Sequence, residues 1–307
     1  MRQQYLHLLI FVLFTCLGTN AQDITLFTVT DFELNGPVKK CVVIKDYGKE
    51  IFEFSENGFL IKSTTQYNET DKDITVYRFE GDNLIEKRLE SYKDGQLDVS
   101  TSMANIFEID TTGLKTIKEQ IISYDKEFFE QQQYFYNEDG LLSKVVSSHE
   151  NAVDETTIDY GTYKNEETTS VFENGVLLKS VRKSTKKGKG NEEVFVELVK
   201  EFVDGEPSDA IESITDSSGK LLSKQLFLYD KDAKQFAPSE RHSYEYDANG
   251  VLEKVLIERG NTKSVNEFAF QFDDSGHQNW VKKITMPQNT YISRNITYFE
   301  TAEKTED

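Results

Sequence analysis

The sequence of 307 residues has little cysteine, few apolar residues and few basic ones. Its 2 cysteines cannot build the disulfide framework of a small secreted domain. Hydrophobic residues make up 37% of the chain, too few for a protein that crosses a membrane several times. The 35 Lys and Arg residues stand against 54 Asp and Glu, a formal net charge of -19. Because proteins bind duplex nucleic acid mainly by neutralising its phosphates, this balance excludes nucleic acid as an expected partner.

Aromatic residues are abundant instead. The chain has 21 Phe and 15 Tyr, which bring the aromatic share to 12%. Disordered chains are poor in aromatic and β-branched residues, because they cannot bury enough apolar surface to fold. The composition therefore predicts a folded, soluble and β-rich protein.

The first 21 residues have the pattern of an export signal. Met1–Gln4 carries one positive charge and no acid, Leu6–Leu17 is almost entirely apolar, and Thr19 and Ala21 are the small residues of a cleavage site. An apolar stretch of about 12 residues spans ~18 Å as a helix, short of the ~30 Å hydrocarbon core of a bilayer. We predict cleavage after Ala21 and export to the periplasm, the cell surface or the medium. A lipid anchor at Cys16 is the alternative, although the residues before it fit a lipidation motif poorly.

One nine-residue pattern recurs along the chain: aromatic, any, aromatic, Asp/Asn/Ser, two turn residues, Gly, any, Leu. Aromatics two positions apart lie on one face of a strand. The Asp, Asn or Ser side chain then bonds turn amides, and the Gly takes the left-handed conformation of a bulged hairpin loop. Each copy therefore predicts a hairpin with one apolar and one polar face. The best copies are Tyr244–Leu252, Tyr134–Leu142 and Phe52–Leu60, and Phe270–Gly276 begins in the same way.

A single hairpin is marginal in water, so the hairpins must pair with one another. We expect an all-β domain over residues 22–300, in which about 16 strands form a long, twisted, coiled or partly closed antiparallel meander. Lysine-rich residues 179–190 break the pattern and predict an exposed loop, the best candidate for a seam between two halves. Residues 191–203 fit either a helix or a strand. The charged tail, residues 301–307, is expected to fray.

The repeated motif resembles the YD repeats of the RHS and teneurin-type families. Tyr246–Gly250 matches their Tyr-Asp pair with its following Gly, and Tyr136–Gly140 is a conservative variant with Asn. Residues 276–298 look like the last unit of small secreted YD-like proteins of Gram-negative bacteria. The resemblance implies a β-hairpin repeat architecture and, at the level of the family, carbohydrate binding. It identifies no functional residue.

Residues that could carry chemistry are scattered. His149, His242 and His277 lack the spacing of a metal site. Asp273–His277 holds Asp, Ser and His close together, but its place in the repeat explains it as a hairpin turn rather than a hydrolytic triad. The sequence has neither a nucleophile elbow nor a phosphate-binding loop. We therefore expect a protein that is not an enzyme and holds no cofactor or metal.

The aromatic residues near the C-terminal end are the candidates for a binding site. Trp280, Tyr291 and Tyr298 could stack against a ligand, the alternative being that they form the core of the last hairpin. Two functions stay open. An exported carbohydrate-binding or structural module predicts solvent-exposed aromatics in a row. An envelope protein-protein interaction scaffold predicts a partner docked along exposed edge strands. The oligomeric state is not predicted.

Overall fold

The computed structural model describes residue 24 and residues 26–45, 48–124, 128–149 and 152–300. The predicted signal at residues 1–21, with Cys16, and the predicted frayed tail at residues 301–307 lie outside the described residues. Within them the chain is all-β, as predicted, apart from two short 3-10 helices at Val29–Phe32 and Lys189–Asn191.

The strands follow one another in chain order with short connections. Their bounds are β1 Val38–Lys45, β2 Gly48–Phe54, β3 Leu60–Gln66, β4 Lys72–Glu80, β5 Asn83–Lys93, β6 Gln96–Leu97, β7 Met103–Asp110, β8 Thr116–Ser123, β9 Phe128–Tyr136, β10 Leu142–His149, β11 Ala152–Tyr163, β12 Glu166–Glu173, β13 Val176–Lys187, β14 Glu193–Val203, β15 Glu206–Thr215, β16 Leu221–Asp230, β17 Gln235–Tyr246, β18 Leu252–Arg259, β19 Thr262–Phe272, β20 Trp280–Met286 and β21 Thr290–Tyr298.

The repeated motif forms the hairpins that the sequence predicts. In the turn between β17 and β18, the Asp247 carboxylate accepts hydrogen bonds from the amides of Asn249 (2.9 Å) and Val251 (2.8 Å). These bonds lower the pKa of Asp247 below its ordinary value. Gly250 has φ 79°, which an L side chain rarely adopts, and its amide closes the turn onto the Asp247 carbonyl at 2.9 Å. The motif Gly therefore decides where each of these turns forms.

The sheet closes on itself. Neighbouring strands pair antiparallel, and β1 pairs with both β2 and β21. The closing register joins Cys41 to Ile296 and Val43 to Arg294. The short strand β6 pairs with β5 alone, so 20 of the 21 strands form a closed antiparallel barrel. The predicted antiparallel meander is confirmed, but the sheet is fully closed instead of coiled or partly closed, because backbone groups at its two ends pair with each other.

The assignment to the YD-repeat family is also wrong. That resemblance rests on one short hairpin motif, and the motif is present. However, the hairpins build a single ring whose first strand pairs with its last, instead of a wound shell of repeats. A bulged turn after an aromatic pair specifies a local hairpin. It does not specify how many hairpins follow before the sheet meets itself.

The wall of the barrel has two chemically different faces. Residues paired across neighbouring strands share a face, and alternate residues of one strand point to opposite faces. One face, which we call the aromatic face, carries the motif aromatics and the strand residues of both hydrophobic clusters. The aromatic face also holds ion pairs such as Lys183–Glu197 (3.9 Å), and the opposite face carries further cross-strand ion pairs. Examples on the opposite face are Arg78–Glu86 (3.0 Å), Lys144–Glu155 (3.4 Å) and Lys254–Glu245 (3.2 Å).

Two hydrophobic clusters form the buried part of the aromatic face. Members of the larger cluster lie on successive strands from β5 to β12, and the smaller cluster lies where the ring closes. Their buried residues are Leu84, Phe107, Ile117, Tyr134, Tyr136, Leu142, Val145, Ile158 and Val171 in the larger cluster, and Leu34, Val38, Cys41, Val43, Phe54 and Leu60 in the smaller.

At β20 the wall is a single layer with solvent near both of its faces. Every residue of β20 is half-buried, although alternate residues of a strand point to opposite faces. Buried apolar residues outside the two clusters include Val181, Val199 and Ala210, which lie on β13, β14 and β15. Cys41 belongs to the smaller one, where burial raises the pKa of its thiol to about 11. It is buried and free, as a small hydrophobic residue would be.

The predicted loop at residues 179–190 is mostly strand. β13 runs to Lys187, because its lysines lie opposite carboxylates of β14: Lys179 is 3.3 Å from Glu201, and Lys183 is 3.9 Å from Glu197. Residues 191–203, for which helix and strand were both open, form β14. The basic run is therefore half of a charged strand pair, and it does not divide the domain.

Candidate functional site at the seam

The closure of the barrel is covered by the segment that precedes β1. We call this region the seam: residues 28–37, β1, β20 and β21. The ring of Phe32 lies 4.4 Å from that of Phe52 and 5.4 Å from that of Phe54. Leu34 is 1% exposed. Because Phe52 and Phe54 belong to the aromatic face, the segment packs on that face.

Asn279 joins this segment to the last hairpin. Its side chain is fully buried and bonds both backbone groups of Asn35, accepting from the amide and donating to the carbonyl, each at 2.8 Å. It also donates to the Tyr298 hydroxyl at 2.7 Å. A side-chain amide is suited to this place because it carries a donor and an acceptor.

Tyr298 continues the network into the turn before β20. Its hydroxyl donates to the Asp273 carboxylate and accepts from Ser275 at 3.1 Å. Burial raises the pKa of Tyr298, and the Asp273 bond raises it further. Burial alone would raise the pKa of Asp273, but hydrogen bonds from Tyr298 and Ser275 bring it below its ordinary value. Asp273 and Ser275 therefore serve a turn, as predicted from their place in the repeat.

Arg294 lies at the centre of the seam. Its guanidinium carbon is 3.4 Å from the centre of the Trp280 ring. It donates to the carbonyl oxygens of Phe32 (3.0 Å) and Glu33 (3.3 Å), and the Glu33 carboxylate accepts from the Trp280 indole at 3.2 Å. Its Nε is buried without a hydrogen-bond partner among the described residues. Burial lowers the pKa of Arg294.

Lys283 is a second cation on the same face. Its ammonium lies 4.8 Å from the centre of the Phe268 ring and 5.6 Å from that of Phe270. Burial lowers its pKa, and the nearby Arg294 lowers it as well. Within the described part of the chain it has neither a hydrogen bond nor a carboxylate partner.

Three phenylalanines of β19 form a row next to these cations. The ring centres of Phe268 and Phe270 are 6.5 Å apart, and those of Phe270 and Phe272 are 6.2 Å apart. Trp280 adds an edge contact to Phe270 at 6.0 Å. Phe272 is 38% exposed and the other two are half-buried. We call Phe268, Phe270 and Phe272 the aromatic row.

The three residues predicted to stack against a ligand do not form one surface. Trp280 and Tyr298 lie on the aromatic face, where both are parts of the seam. Tyr291 lies on the opposite face, 58% exposed, with the ammonium of Lys282 4.9 Å from its ring centre. Ligand stacking by any of them stays a prediction.

Sequence reasoning missed the residues that stand beside Trp280. The alternation of phenylalanines at 268, 270 and 272 was visible and predicted a strand, but it did not distinguish exposed rings from core. Nothing in the sequence marks Lys283 or Arg294, because their positions depend on pairing of β20 with both β19 and β21.

His149 and His242 lie in separate parts of the barrel. His149 is 3.1 Å from Asp154, and His242 is 2.6 Å from Glu240. Among the described residues, no three His, Cys, Asp or Glu side chains gather as a metal site would require. In the same residues, no helix has the length and apolar character needed to cross a membrane.

Comparisons with known proteins found no matching family and only distant structural similarity. No protein-family model matches the chain, and no curated protein matches it. A porin-like protein from Bacteroides vulgatus is 10% identical, with 86% of this chain and 99% of that chain covered and a TM-score of 0.24. A structure of TcdB2-TccC3-Cdc42 is 11% identical, with 77% and 15% covered and a TM-score of 0.16. Scores this low carry no argument about function.

The role of Asn279 in the seam can be tested by substitution. Asn279→Ala removes two hydrogen bonds to Asn35 and one to Tyr298, so we expect the free energy of unfolding to fall by about 2 kcal/mol. Asn57→Ala, in the exposed β2–β3 turn, is the matched control and should cost less than about 0.5 kcal/mol. Urea unfolding measures both. Equal stability of the two variants would contradict the role given to Asn279.

Proposed function

We propose that the protein is an exported, non-enzymatic barrel that binds carbohydrate along the aromatic row. The observation that supports this proposal is the row itself: three rings of one strand, evenly spaced, each reaching solvent. Flat aromatic rings offer large, rigid apolar contact areas at low entropic cost. Sugar rings present C–H groups on their flat sides, which suit such a surface.

Two carboxylates of the region around the row, Glu33 and Asp273, support a binding role over hydrolysis. A glycosidase holds two carboxyl groups at a defined separation across a cleft, one as an acid and one as a base or nucleophile. Glu33 is bonded to the Trp280 indole and lies 3.8 Å from Arg294. Asp273 accepts from Tyr298 and Ser275. Both carboxylates thus stabilise the fold beside the row.

The charged residues of the wall support the proposal that the barrel lies in water within the cell envelope, and not in a bilayer. A barrel in a bilayer turns an apolar band about 25 Å tall outward. Here both faces carry charged residues in the middle of strands, so neither face offers such a band within the described residues. On the aromatic face they include Lys87, Lys183, Glu197 and Lys283; on the opposite face they include Arg78, Lys144, Glu155, Lys254 and Lys282.

The alternative function, an interaction scaffold, was expected to bind its partner along exposed edge strands, and the closed ring does not offer them. Every strand of the ring has a neighbour on both sides, so the expected exposed edge strands are absent from the ring. Because no strand of the ring is left as an edge among the described residues, a partner cannot add a whole strand along it. A scaffold function through side-chain surfaces stays a prediction.

Carbohydrate binding can be tested on the chain that begins at Gln22. We expect one glycan class on an array to bind, and Phe270→Leu to weaken that binding about tenfold, which corresponds to about 1.4 kcal/mol. Leucine keeps most of the apolar volume, so the fold should tolerate it. Tyr291→Leu, on the opposite face, is the matched control and should bind as the unchanged protein does. A cooperatively melting protein that binds no glycan would rule out the proposal, as would a loss confined to Tyr291→Leu.

The proposed location can be tested with liposomes. We expect the purified chain to stay in the dense fractions when mixed with anionic or neutral vesicles and floated on a density gradient. The charges of the outward face would have to leave water for the barrel to insert, at about 2–4 kcal/mol for each Arg or Lys at the midplane. Flotation with neutral vesicles that resists high salt would contradict a wall in water and favour a membrane-spanning pore.

A further inference from the structure

We propose that the ligand of the aromatic row is an acidic oligosaccharide whose anionic group binds the ammonium of Lys283. This inference rests on the proposed function and names the class of sugar. The observation behind it is that the ammonium of Lys283 lies against the rings of the row and has no anionic partner among the described residues.

Lys283 is a lysine whose pKa burial lowers and that has no carboxylate partner among the described residues, unlike several lysines of the barrel. Lys45 has Glu50 at 2.7 Å, Lys254 has Glu245 at 3.2 Å, and Lys179 has Glu201 at 3.3 Å. The chain has 54 acidic residues against 35 basic ones, so carboxylates are in excess. Lys283 therefore lacks a carboxylate partner because of where it lies, since the chain has acidic residues in excess.

The carboxylate whose charge acts on Lys283 already has other partners. Glu33 is the acidic residue whose charge acts on Lys283, and it accepts from the Trp280 indole and lies 3.8 Å from Arg294. Arg294 adds a second positive charge on the same face. The two cations leave a local excess of positive charge in a protein that is negative overall.

The surroundings of the ammonium favour an anion as its missing partner. A half-buried charge without a hydrogen bond is costly, and such groups in folded proteins usually have a counter-ion, water or a ligand. The rings of Phe268 and Phe270 compensate only part of that cost. They also place the ammonium beside the surface on which a sugar would stack. An anionic group on that sugar would complete the site.

The decisive experiment compares charged galactose-type trimers with a neutral one. Calorimetric titration uses trigalacturonate, its methyl ester with the carboxylates capped, and a sulfated galactose trimer. We expect at least one charged trimer to bind more than tenfold more tightly than the ester, and added salt to weaken only the charged trimers. Lys283→Met should remove most of that advantage, so that the variant binds charged trimers and ester with similar affinity.

Lys282→Met is the matched control, because Lys282 is the adjacent residue and its side chain points to the opposite face. It should bind every sugar as the unchanged protein does, and melting curves show that both variants fold. Equal affinity for charged trimers and ester, or undiminished charge preference in Lys283→Met, would overturn the role of Lys283 and leave carbohydrate binding intact. Absence of binding to all three sugars and to the glycan array would instead refute the proposed function, and this inference with it.

Discussion

A β-hairpin cannot bury its apolar face by itself, and this constraint governs the whole molecule. Each hairpin needs a neighbour on both sides to pair its backbone groups, and a linear series always leaves two unpaired ends. Here the two ends are β1 and β21, and they satisfy each other. The segment before β1 then covers the closure with Phe32 and Leu34, and Asn279 fixes it to the last hairpin.

Closure of one layer has consequences for the side chains. Because a single wall has no second sheet or helix layer against most of it, many side chains on both faces stay half-buried. Cross-strand ion pairs suit the opposite face, since they cost little in contact with water. On the aromatic face, the same geometry leaves the rings of the aromatic row partly exposed beside Lys283. The candidate binding surface thus exists because no second layer covers the rings of the aromatic row in the described residues.

Local features were predictable from the sequence, and the closure was not. The Asp247 turn and its Gly250 follow from side-chain hydrogen bonding and from the conformational freedom of glycine, which act within a few residues. The lysines of residues 179–187 suggested a loop, because their partners on β14 become neighbours only after pairing. Closure depends on the accumulated twist and stagger of all strands, which no single motif encodes. The YD-repeat assignment failed for that reason, and Lys283 and Arg294 could not be recognised without the pairing of β19, β20 and β21.

Hydrogen exchange of backbone amides in β1 and β21 tests the closed ring most directly. β1 pairs with β2 and with β21 across Lys40–Ile44, so in the closed barrel consecutive amides of that stretch should be protected as strongly as those of β8 and β9, and the amides of Ser293–Tyr298 that face β1 should be protected as well. In an open sheet these strands would be edges, and every second amide would face solvent. Uniform slow exchange is the result that the closed barrel predicts. Alternating fast exchange along Lys40–Ile44 would contradict it.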